Sequence, residues 1–233
     1  MELSLACTVP HRLALASSQA VTGVSYLETF EGIFNRIYRY FSQSPNRTRH
    51  LKAMQQVMGQ AEHKFVSISA TRWLSFAGAV NAVIMNWEGL VSVLKEDNSE
   101  IASKLLQDVT DYCFVSCAAY MTDVLYYLNV LYLSFQKENL NIEMVIEQVN
   151  SCVKALHDIC DNSSGTCFAE FNQCVPAEVV EIEPGSGLGT FLYKNHEIRV
   201  SAVMQESVVN DLTAYMNKFF DNMNDRLFDL GNL

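Results

Sequence analysis

Residues 100–136 read EIASKLLQDVTDYCFVSCAAYMTDVLYYLNVLYLSFQ. Val109, Tyr112, Cys113, Val115, Cys117, Tyr120, Met121, Val124, Leu125, Leu128, Leu131 and Leu133 place apolar side chains on nearly every face of a helix of 3.6 residues per turn. A helix apolar all round is stable in water only when other helices wrap it. Glu100–Gln136 is therefore the expected centre of a mainly α fold, an irregular helical bundle.

The flanking stretches carry one apolar stripe each. His11–Ser42 predicts a helix broken near Gly23, with Leu13, Ala16 and Ala20 on its first face. Tyr26, Leu27, Phe30, Phe34, Ile37, Tyr38 and Phe41 continue that face, and Ser44-Pro45 stops it. Arg47–Met58 predicts a short helix, and the alternation at Lys64–Ser69 predicts at most a small strand near Phe65–Ile68. Thr71 is a candidate N-cap for a helix from Arg72 to about Lys95, kinked near Asn86 or Gly89. After the polar turn Glu96-Asp97-Asn98-Ser99 comes the central segment. Asn141 is then expected to cap a helix whose inward side is Ile142, Val145, Ile146, Val149, Val153 and Leu156. Asp161–Arg199, with Pro176, Pro184 and several glycines, predicts a loop-rich excursion. Helix resumes over 200–227 with Val203, Val208, Leu212, Tyr215, Met216, Phe219 and Met223 inward. The expectation is one helical domain of about seven to nine helices. Its parts are basic helices at 1–62, a central bundle at 63–160, the excursion at 161–199 and a final helix at 200–233.

Composition agrees with a globular chain. In 233 residues, 49% are hydrophobic and 18% charged, which excludes a disordered or collagen-like protein. No window of about eighteen apolar residues runs without a charge or strong polar interruption, so no membrane-spanning helix is expected. Leu3–Val9 lacks a basic flank and is cut short by Pro10-His11-Arg12, unlike a secretory signal. Seven cysteines without regular spacing read as reduced thiols. The group Cys152, His157, Cys160, Cys167 and Cys174 lacks the Cys-x-x-Cys knuckle of a structural zinc site, so no metal is expected there. The Asn-x-Ser/Thr triplets at Asn46 and Asn162 carry no meaning without a secretory route.

Charge divides unevenly. The whole chain is −10, but residues 1–75 sum to +4 and the remainder to −14. No acid lies between Glu31 and Glu62, where Arg36, Arg39, Arg47, Arg49 and Lys52 fall. Such a run is either a solvated helix face or a surface for an anionic partner. Gly185-Ser186-Gly187-Leu188-Gly189 lacks the Lys-Ser/Thr of a phosphate loop and reads as a hinge. No Ser/His/Asp or Cys/His constellation stands out, and the acids sit at solvent-facing positions rather than as a carboxylate trio for two metal ions. Neither an enzymatic activity nor a cofactor is expected.

Three stretches follow one another across most of the chain: Cys7-Thr8-Val9-Pro10-His11-Arg12-Leu13-Ala14-Leu15-Ala16, Ser69-Ala70-Thr71-Arg72-Trp73-Leu74-Ser75, and Tyr132-Leu133-Ser134-Phe135-Gln136-Lys137-Glu138-Asn139-Leu140-Asn141-Ile142. The first resembles the Cys-x-x-His-Arg-Leu-x-Leu-Ala segment of hAT superfamily DNA transposases, with one extra residue between Cys7 and His11. The second resembles the Thr-Arg-Trp motif that opens their helical insertion domain, and the third a stretch inside that insertion. The resemblance implies the insertion region of an RNase H-like, transposon-derived protein without its catalytic triad, since the two Asp-bearing strands would precede Met1. Nothing after Leu227 resembles the family's dimerisation segment, and no BED-type finger precedes Cys7.

In that family the Trp can stack on a flipped base while the Arg supports it, which on this chain implies Trp73 and Arg72. Base stacking of this kind is worth about 1–3 kcal/mol. The competing reading makes Trp73 a core aromatic in the first turn of a helix, with Arg72 snorkelling from its edge, and His11 a structural imidazole. The expectation is a catalytically inactive, domesticated fragment acting as a nuclear protein-interaction module with an unknown protein partner and no membrane. One alternative is weak, sequence-independent DNA binding through Arg36, Arg39, Arg47, Arg49, Lys52, Arg72 and Trp73. Another is part of an active transposase whose flanking sequence is missing.

Overall fold

The computed structural model describes residues 2–66, 73–135, 142–162 and 165–227. Among the described residues the elements are α1 (Glu2–Val21), α2 (Ser25–Ser42), α3 (Pro45–Val57), α4 (Trp73–Met85), α5 (Trp87–Glu96), α6 (Glu100–Val109), α7 (Tyr112–Ser134), α8 (Ile142–Asn162), α9 (Thr166–Cys174), β1 (Gly189–Tyr193), β2 (His196–Val200) and α10 (Ala202–Leu227). The fold is mainly α, with α7 at its centre. Phe114, Val115, Cys117, Ala118, Ala119, Met121, Val124 and Leu128 on α7 are all fully buried. They are enclosed by α4, α8, α9 and α10. By length and composition α7 could cross a bilayer, contrary to the expectation that no segment would qualify, but 72% of its apolar window is buried against the other elements.

The predicted central helix is two helices. Thr110 Oγ1 donates to Leu106 O at 2.7 Å, closing α6, and the Asp111 carboxylate accepts from Cys113 N at 2.9 Å, capping α7. A local stop of this kind needs only a side-chain acceptor for an orphan N–H, so an apolar run does not reveal it. The expected kink between α4 and α5 is present as a bend of 70°. At that corner the buried Asn86 Nδ2 donates to Ala82 O at 2.9 Å, and Trp87 Nε1 reaches Val109 O at 2.9 Å.

The expected break at Gly23 is also present. Its φ of +74° places it in the left-handed region, and its N–H donates to Glu28 Oε1 at 2.9 Å. Pro10, by contrast, lies inside α1 and does not end the segment. Removing one N–H and crowding one turn is tolerated where tertiary packing holds a helix. Here α10 does so, through Asn222 Nδ2 on Ala16 O at 3.3 Å, Lys218 Nζ on Thr22 O at 2.9 Å and Ser17 Oγ against the Tyr215 hydroxyl at 3.3 Å. Ser44-Pro45, which ends α2, also starts α3: Ser44 is its N-cap and Pro45 its first residue.

The excursion predicted over 161–199 is only partly irregular. It contains α9 and an antiparallel hairpin in which Phe191 pairs with Ile198 and Tyr193 with His196. Lys194 and Asn195, at φ 46° and 61°, form the tight turn whose twist matches the strands. Phe191, Tyr193, Ile198 and Val200 are buried beside Phe171 of α9 and Trp87 of α5. Among the described residues the sheet is thus here. Residues 61–66 carry no regular structure, while Ser67 and Ile68, like the predicted caps Thr71 and Asn141, lie outside the described residues.

Candidate functional site

The basic residues of α2 and α3 meet acids brought from distant elements. Arg36 pairs with Asp108 of α6 at 2.9 Å, and Lys52 pairs with Glu62 at 2.8 Å. Arg47 Nε donates to Asp97 at 3.1 Å while its guanidinium lies over the Tyr40 ring, 4.0 Å from the centroid. The Tyr40 hydroxyl donates to the same Asp97 oxygen at 2.6 Å. That hydrogen bond, with the Ser99 N–H and Arg47, holds the Asp97 carboxyl down to about 2, and burial pushes the Tyr40 hydroxyl up. His50 faces Glu96 at 2.9 Å. Arg39 and Arg49 are exposed and have no ion pair among the described residues. Trp73 opens α4, and Arg72 lies outside the described residues. Three of the five bases that read as one positive stripe are therefore neutralised by Asp97, Asp108 and Glu62. The first two acids sit in stretches read only as a turn and as part of the central segment.

Beside this region a cavity of about 330 Å³ lies between α2, α3 and the segment after α3. Tyr38, Phe41, Thr48, Lys52, His63 and Lys64 line it, and Gln55 Nε2 fixes the segment by donating to His63 O at 3.1 Å. Of its two lysines Lys52 is paired with Glu62, which leaves Lys64 without an ion pair among the described residues.

A larger cavity of about 470 Å³ lies between α7, α8, α9 and α10. It holds His157, stacked on Phe220 at 4.1 Å, and Cys160, whose sulfur is 3.3 Å from the Tyr120 hydroxyl. The Cys/His proximity is not an activated nucleophile. Burial raises the Cys160 thiol above its ordinary value, and it raises Cys167 to about 11 and Cys113 and Cys152 to about 12. Neutral thiols are poor nucleophiles and poor metal ligands. Among the described residues no three His, Cys, Asp or Glu side chains are grouped to hold a metal ion.

The third feature is an uncharged surface. A groove of about 340 Å³ between α4 and α7 is lined by Ala77, Gly78, Asn81, Thr122, Tyr126 and Asn129. Tyr126 in its lining is 63% exposed, and the same two helices also expose Met85, Val130 and Leu133, at 54%, 45% and 51%. Tyr126, Val130 and Leu133 follow i, i+4, i+7 spacing, which puts them on one face of α7. Helix α4 has no charged residue, and the one in α7, Asp123, is turned inward: its carboxylate accepts from the N–H groups of Cys167 and Phe168 at 3.1 and 2.9 Å and caps α9. This face escaped the sequence reading because an all-round apolar helix gives no sign of which side stays uncovered. The exposed run Tyr126-Tyr127 was the available signal.

No family model, curated protein or solved structure matches this chain.

Proposed function

We propose that the chain is a protein-interaction module of transposase descent, with no catalytic step of its own, that docks an apolar helix of a protein partner on the α4–α7 face. The observation that carries this reading is the groove together with the exposed Met85, Tyr126, Val130 and Leu133 of the two helices that form it, neither of which turns a charged side chain outward. Exposed aromatic and aliphatic side chains around a groove of small residues are the makings of a protein interface, where charged side chains are depleted at the centre. The −10 charge of the chain favours a partner with basic flanks. Transposase descent rests on the three sequence stretches alone, and a nuclear location is inferred from that descent.

The non-catalytic part of the reading is supported by how the inward-facing reactive groups are committed. Asp111 and Asp123 cap helices, and desolvation raises the thiol of Cys160, the cysteine that lines the central cavity, above its ordinary value. Weak DNA binding is the second reading, and Arg39 and Arg49 are the observation that favours it. Titrating labelled single-stranded and duplex DNA at low and physiological salt separates the two. The docking reading expects no saturable binding at physiological salt. Saturable binding with a salt slope that flattens in Arg39→Gln/Arg49→Gln would replace it with the nucleic-acid reading.

A further inference from the structure

The segment Glu178-Val179-Val180-Glu181-Ile182-Glu183 lies between α9 and β1 and is made only of acids and β-branched side chains. Glu181 bridges antiparallel to Gly189, with Ile182 N–H donating to Leu188 O at 2.9 Å, so the segment touches the outer side of β1 at one isolated bridge. In this register the N–H and C=O of Glu181 point away from β1. Neither the Val179 nor the Glu181 N–H has a hydrogen-bond partner among the described residues. Val179 packs inward on the core, whereas Val180 and Ile182, two apart and therefore on the opposite side, are 80% and 58% exposed. Gly189 makes the close approach possible, since a side chain there would meet Val179 and the Val180 carbonyl.

We propose that Val179–Ile182 is a docking strand that adds itself to the open sheet edge of a small β-grasp protein of the ubiquitin-like modifier kind, one whose edge carries a shallow apolar groove and a basic rim. Main-chain hydrogen bonds from the free edge supply register, Val180 and Ile182 fill the groove, and Glu178 and Glu183 face the rim. Glu181 has a separate task. Its carboxylate takes the N–H groups of Gly185 and Gly187 and shapes the turn that returns the chain to β1. Charge favours a basic edge over a second copy of the chain. No base lies between α9 and Lys194, so a second copy of the chain would set acid against acid, while a basic edge is attracted. An acidic edge strand can also serve only to prevent sheet-to-sheet aggregation, and the experiment distinguishes the two. The proposal is independent of the α4–α7 face.

The test is a titration of the intact chain with a purified small ubiquitin-like modifier, followed by calorimetry and by amide shifts of the modifier. The expected result is saturable binding that perturbs the modifier's edge strand and protects the Glu181 amide from exchange. Val180→Ala/Ile182→Ala should weaken it about tenfold or more, as loss of two groove-filling side chains does. Glu178→Gln/Glu183→Gln should weaken it less and flatten its salt dependence, and Val180→Ile should retain it. Val203→Ala, at another exposed valine, is the control that should change nothing. Unchanged circular dichroism in each variant ties the losses to the contact, since neither Val180 nor Ile182 belongs to the buried core. Absence of binding, or binding indifferent to Val180 and Ile182, would overturn the proposal. So would self-association of the chain through this strand.

Discussion

Asp97 gathers donors from three elements: Tyr40 of α2, Arg47 of α3 and the N–H of Ser99 at the start of α6. Its carboxyl is held at about 2, below the ordinary 3.8. A depressed carboxyl adds stability that is present above the ordinary value and lost as pH falls through the depressed one. Asp97→Asn is therefore expected to lower unfolding free energy by about 1–2 kcal/mol at neutral pH. The deficit should shrink as urea melts are taken from pH 4 towards pH 2, and a deficit independent of pH would assign the loss to packing instead. Asp123 makes the complementary case. Burial raises its carboxyl despite the α9 N–H groups it accepts, and Gly165 leaves the room it occupies. Gly165→Ala would drive a methyl group into that carboxylate and release the α9 cap. The expected cost is about 1–2 kcal/mol, the scale of a lost N-cap, read as a lower melting temperature.

At the scale of elements, α7 carries the bundle and the hairpin anchors the chain between α9 and α10. Leu125→Asp places a carboxylate where the leucine is 2% exposed, and a buried unpaired charge costs several kcal/mol, comparable to the stability of a domain. Loss of cooperative unfolding is expected, and an unchanged melting temperature would remove α7 from the centre. In the hairpin, Lys194 at φ 46° strains an L-residue. Lys194→Gly is expected to stabilise by about 0.5–1 kcal/mol in thermal melts, and Lys194→Val to destabilise by a similar or larger amount. These elements also show how far the sequence was legible. Helical stripes such as Leu27, Phe30, Phe34, Ile37 and Phe41, and Leu212, Tyr215, Met216, Phe219 and Met223, are periodic and are buried where the period put them. The hairpin was masked by its surroundings: His196–Val200 alternates, but Phe191-Leu192-Tyr193 is an unbroken apolar run, Lys-Asn is a weaker turn signal than Asn-Gly, and the nearby glycines and prolines read as loop. The basic residues were legible as residues, but their neutralisation was not. Arg36 and Asp108, or Arg47 and Asp97, meet only after the chain has folded back on itself.

For the whole molecule, α4 has no charged residue and the one in α7 is turned inward, so the α4–α7 face carries no charge from either helix. The non-catalytic reading expects no magnesium- or manganese-dependent nicking of DNA by pure protein, because two-metal chemistry needs converging carboxylates. Nicking abolished by changing one acid would reverse that expectation. If the molecule docks protein on α7, site-specific photo-crosslinking in the cell captures that contact. A crosslinker replacing Tyr126 is expected to give a discrete protein adduct that disappears in Leu133→Glu, while the same crosslinker replacing Arg49 gives none. A nuclease-sensitive adduct at position 49, with no protein adduct at position 126, would move the working surface from α7 to the basic residues of α2 and α3.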